Sequence, residues 1–281
     1  MIDAMMPSAE ATDYSGRAPI ASGTLKASAA LWLLTAMVGQ WSFAYVVLAY
    51  YGGSALHGDF AAWNKTLPHG IVDGEPVGNM AVALHLFAAV FVTSCGAVQL
   101  IPQIRARFRA FHHWNGRVYL AAVLAASLAG FYMVWTRGSA LGPVGDVSVS
   151  INGVLILTFA ALALRHAVAR NIDRHRRWVL RLYLVANGVW FFRVGLFFWL
   201  FVNKGPVGFD SATFRGPFLI FLGFAQYFVP LAALECYLRA KDRSGRLGKY
   251  AMAAALLALT GAMAVGSFAL TMRWMARFSA A

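Results

Sequence analysis

Apolar residues run through this chain in long stretches broken by short polar turns. Seven stretches approach or exceed the roughly 20 residues needed to cross a bilayer as a helix. They lie near 27–51, 77–104, 115–137, 147–170, 177–203, 215–239 and 249–275. The strict alternation of a transmembrane barrel strand is absent. The pattern therefore predicts an all-α polytopic membrane bundle of seven helices filling one domain, 27–275. Trp32, Trp41, Trp135 and Trp199 suit interfacial belts. Gly188 and Gly195 on the fifth segment are read as points of close helix contact, and Pro230 as a bend in the sixth.

Composition agrees with this pattern. The chain is 60% hydrophobic and 12% charged, against about 25% charged for soluble domains. The net charge of +13 is mainly a topology signal. Of the 24 Lys and Arg, seventeen fall on one side of the predicted spans: two in the leading tail, four between segments two and three, six between four and five, five between six and seven. Six fall on the other side, and Arg193 lies within a span. The positive-inside rule then puts the N-terminus in the cytoplasm and the C-terminus, with a short external tail at 276–281, in the periplasm of a bacterial inner membrane. The basic turns suit anionic lipid headgroups. Residues 1–26 read as a disordered cytoplasmic tail without the apolar core of a signal peptide. Cys95 and Cys236 fall inside spans and read as buried thiols. No nucleic-acid module, zinc spacing or nucleotide-binding pattern occurs.

Two basic turns resemble each other: "RFRAFHHWNGRVYL" (107–120) and "NIDRHRRWVLRLYL" (171–184). Segments two to five would then form two similar hairpins, a four-helix core over 77–203. Chance recurrence at basic helix starts is the alternative. These stretches also resemble a bacterial family of predicted multi-pass membrane proteins of unknown function. "HHWNGRVY" is similar to that family's H-R-x-x-G-R-x-Y motif, with His113 replacing an Arg, and "HRRWVLR" to its H-R-x-W-x-x-R motif. The resemblance implies a four-helix layout distantly similar to cytochrome b561-like proteins. It implies no chemistry.

Candidate chemistry centres on Arg193. Counted from the segment ends, Arg193 and His85 each lie about 12 Å from the outer boundary, with Asn152 and Gln226 at similar depth. An arginine inside a span costs at least about 2.5 kcal/mol on insertion scales and marks a candidate site. No acid lies in the outer half of any span. Arg193 is therefore expected to stack on Trp190 or Phe197, to pair with an external acid such as Asp146, or to hold an anionic or quinone-like ligand. The 52–76 connection, with Trp63, His57 and His69, reads as a solvated loop, a lid being the alternative. His112 and His175, at two matching helix starts, are candidate ligands for one b-type haem. The readings carried forward are a membrane-embedded redox or ligand-binding protein, an accessory subunit without chemistry, and a small-molecule transporter.

Overall fold

The computed structural model describes residues 17–67 and 70–278. Eight principal helices are present: α1 (Arg17–Val47), α2 (Pro76–Leu100), α3 (Arg109–Arg137), α4 (Pro143–Val168), α5 (Ile172–Ala186), α6 (Gly188–Asn203), α7 (Pro217–Arg243) and α8 (Arg246–Phe278). No strand occurs among the described residues. Six helices are long and apolar enough to span a membrane, α1 together with the turns that extend it to Leu56. The α5–α6 pair, bent by 54°, makes a seventh when the two helices are counted as one span. The protein is a polytopic helical membrane bundle, as its apolar pattern predicts.

Chain chemistry sets the helix boundaries. Proline occupies the first turn of α2, α4 and α7, where its missing N–H has no intrahelical partner to lose. Ile101 precedes Pro102 and is extended, since proline disfavours the helical region for the residue before it. A short helix, Pro102–Arg107, follows and sets Arg105 and Arg107 at the turn into α3. Asn171 caps α5 by accepting from the Arg174 N–H at 3.3 Å. The α1 helix starts at Arg17 rather than near residue 27, so part of the expected tail is helical. Residues 1–16 and 279–281 lie outside the described residues.

Both predicted hairpins are present, with α2 on α3 and α4 on α5. The longest seam joins α1 to α8. Past the bend, α6 leaves its hairpin partner and packs on α8 and α7. Small residues make this possible. A Cβ at Gly266 of α8 would lie 2.2 Å from the Val194 carbonyl oxygen of α6, and one at Gly195 would lie 2.9 Å from Leu222 of α7. Pro230 sits within an unbroken α7. Outward-facing Tyr45, Phe87 and Phe221 are more than 60% exposed, which suits contact with hydrocarbon. The arginine-rich turns gather at one end of the bundle, called the basic end below; the long connections lie at the opposite, loop end.

Candidate functional site

The break between α5 and α6 organises the interior. Asn187 sits at φ −98°, ψ 15°, outside the helical well. Its Nδ2 donates to the Tyr183 carbonyl at 2.8 Å, supplying from a side chain the bond that a regular backbone would supply. An Asn competing with its own backbone in this way disfavours helix continuation. Gly188 then restarts the helix. A Cβ there would lie 2.9 Å from Asn152 Nδ2 and 3.4 Å from Gln226 Oε1. Asn152, Asn187 and Gln226, all buried, therefore meet at the break. The Asn-Gly dipeptide within an apolar run is a turn signal that would have located this break in the sequence.

Two cavities flank His85. One, of ≈ 120 Å³, lies among α2, α3, α4 and the break, and includes His85, Thr93, Ser127, Asn152 and Asn187. The other, of ≈ 140 Å³, lies toward α1 and includes His85, Thr93, Tyr51, Arg193 and Trp274. His85 and Arg193 therefore share one cavity, and His85 and Asn152 share its neighbour. Gln226 lines neither; it packs behind Gly188 and donates to the Gly223 carbonyl at 2.6 Å. His85 Nδ1 bonds the Ala126 carbonyl at 2.9 Å. A carbonyl only accepts, so Nδ1 carries the proton in that bond and Nε2 remains an open acceptor.

Arg193 has no ion pair among the described residues. Its guanidinium lies 5.3 Å from the centroid of the Phe43 ring on α1, and Nη1 donates weakly to the Val189 carbonyl at 3.3 Å. The expected stacking partners Trp190 and Phe197 are replaced by Phe43, because α1 and not α6 itself covers this face. Asp146, the expected acid, instead accepts from the Ser139 N–H at 2.6 Å in its own turn.

The loop end above the cavities is covered, which corrects the reading of 52–76 as a solvated loop. Trp63 is only 5% exposed, and its Nε1 donates to the Tyr51 carbonyl at 3.1 Å. Tyr51 and Thr66 hydroxyls bond at 2.9 Å, and Tyr50 donates to the Ala62 carbonyl at 2.9 Å. Arg137 of α3 fastens the far side. It donates to the Gly70 carbonyl and the Glu75 carboxylate, both at 2.8 Å, and to Asn79 Oδ1 at 3.0 Å. His57 is exposed; His69 lies outside the described residues.

At the basic end, His175 Nδ1 bonds the Ala163 carbonyl at 2.9 Å. His112 Nδ1 is buried without a hydrogen-bond partner among the described residues. The two rings are within electrostatic reach of each other, and neither lines the two cavities. Nearby, Arg181 pairs with Glu235 of α7, so the acid nearest the membrane interior is already matched. No group of three or more His, Cys, Asp or Glu suited to a metal ion occurs among the described residues.

A family model described as "Predicted membrane protein (DUF2306)" matches residues 82–229, just over half of the chain. The chain belongs to this family. The matched region of this DUF2306 protein runs from α2 into α7. It contains His85, Asn152, Arg193, Gln226, His112 and His175, whereas α1, the folded 52–76 segment and α8 lie outside it. No curated protein and no solved structure matches the chain.

Proposed function

We propose that this protein binds an amphiphilic ligand within the membrane, its anionic or carbonyl-bearing head held by Arg193 and His85. The observation that carries this reading is a permanent cation, without an ion pair among the described residues, sharing a cavity with a histidine whose Nε2 is open. A planar guanidinium suits a carboxylate, phosphate or quinone carbonyl, and the flanking Phe43 and Val189 suit an apolar body. The basic end faces the cytoplasm of a bacterial inner membrane in this reading, so the cavities sit in the outer leaflet.

Thermal unfolding of the full chain, screened with quinones and anionic lipids, tests the proposal. A ligand at 100 times its Kd stabilises the folded state by about 2.7 kcal/mol. We expect Arg193→Lys and His85→Ala to fold and to lose most of that gain, since an ammonium lacks the flat fork of donors. A full response in both variants would overturn the assignment.

A second reading rests on the His175–Ala163 bond, which engages Nδ1 and leaves Nε2 as the ring nitrogen for a ligand, the arrangement common in metal-ligating histidines. His112, with an unpartnered Nδ1, and His175 would hold one b-type haem, which supplies one-electron transfer when bound. The absorption spectrum of the purified protein tests this. A Soret band that shifts on reduction and is lost in His112→Ala and His175→Ala is the expected result; a colourless wild-type protein removes the reading.

A further inference from the structure

Between the cavities and the basic end the bundle should be dry, yet polar groups continue through it. Asn187 Oδ1, Gln40 Nε2, Tyr119 Oη and Asn115 Nδ2 are buried with no hydrogen-bond partner among the described residues. Their residues are only 0–9% exposed. Native interiors leave few such groups unmatched, and several together in one column point to bound water.

These groups follow one another from the first cavity toward the basic end. Asn187 lines the first cavity and bonds the Tyr183 carbonyl; the Tyr183 hydroxyl donates to Gln40 Oε1 at 3.0 Å. The Tyr119 and Tyr183 rings meet over Gly96, where a Cβ would lie 3.3 Å from Tyr119 Oη and 3.3 Å from Tyr183 Cδ2. Asn115 lies one turn below Tyr119 on α3. Gln99, beside Gly116, donates to the His112 carbonyl at 3.2 Å. Along α2, the step from Thr93, which lines both cavities, to Gln99 is about 9 Å. The longer step from His85 to Thr93 is spanned by the cavities themselves, which have room for several waters. Arg193 shares the second cavity with His85, and a fixed cation beside a file of water repels hydronium.

We propose that this column holds a file of water that carries protons between the basic end and His85, closed at His85 by the charge of Arg193. A proton enters at the basic end, passes along water and the Tyr119 hydroxyl, and rests on His85 Nε2; only O–H and N–H bonds form and break, and the return runs in reverse. The inference concerns the cavities with no occupant on His85 Nε2, and its readout, proton leak, is separate from ligand-dependent thermal stabilisation.

Full-length protein in liposomes with an internal pH dye and a potassium diffusion potential tests it. Wild type should hold the gradient as well as empty liposomes. Arg193→Gln should leak severalfold faster, and Tyr119→Phe added to Arg193→Gln should return the rate to that of empty liposomes, since the ring stays and only the hydroxyl goes. A leak in wild type, a tight Arg193→Gln, or a leak that survives Tyr119→Phe overturns the proposal. If Arg193→Gln does not fold, hydroxyl-radical footprinting of wild type decides. Buried Tyr119 should label at a rate comparable to exposed Tyr250, and an unlabelled Tyr119 means the column is dry.

Discussion

Single residues hold this structure where regular backbone cannot. Asp210 illustrates the point in the loop between α6 and α7. Its Oδ1 accepts from the Thr213 N–H at 2.7 Å, the Thr213 hydroxyl at 2.8 Å and the Ala212 N–H at 3.0 Å. The Thr213 N–H, then its hydroxyl, hold the carboxyl below the usual carboxylate range. A depressed folded-state pKa contributes stability that is fully present above the unfolded value and lost as pH falls through the folded one. Protection of the Thr213 amide from exchange, relative to its intrinsic rate at each pH, should therefore persist at neutral pH and be lost only below the ordinary range of an aspartate, and Asp210→Ala should remove it at every pH. Arg193 shows how far such residues are legible from sequence. Its isolation from acids could be read from the apolar run around it. Its cover, Phe43, could not, because the rotation of α1 about its own axis is set by packing on α8.

At the scale of elements, the bend between α5 and α6 decides which helices touch. Below it the chain completes a hairpin with α4; above it the chain belongs with α7 and α8. The seven apolar runs were legible because bilayer thickness fixes their length. The bend is not evident from hydropathy, although Asn187-Gly188 encodes it, because one amide side chain is averaged out over so apolar a run. The α6–α8 contact rests on Gly266. Its substitution by alanine should push the added methyl against the Val194 carbonyl, which is backbone and cannot rotate away. We expect Gly266→Ala to destabilise the protein by about 1–3 kcal/mol, the usual range for overpacking, measured as a lowered midpoint in thermal unfolding. Ala→Gly at its exposed neighbour Ala264 should have a smaller effect, limited to helix propensity of about 1 kcal/mol.

For the whole molecule, seventeen of 24 Lys and Arg gathered on one side of the predicted spans give the bundle an electrical direction. Reporter fusions after residues 26 and 278 should report opposite sides of the membrane, the first cytoplasmic; the same side for both would contradict seven crossings. The 52–76 segment is not legible as folded because its Gly and Pro punctuation looks like that of any solvated turn, while the bonds that fasten its far side come from Arg137, more than 60 residues away in sequence. That folding has a kinetic consequence. Because the cover is bonded to α1, α2 and α3 together, uncovering the cavities from the aqueous side requires a cooperative local unfolding event, not a side-chain rotation. Release of any bulky occupant to that side is accordingly governed by an opening frequency set by the Arg137 clasp, and weakening that clasp would shorten the occupant's residence time far more than it changed the occupant's contacts.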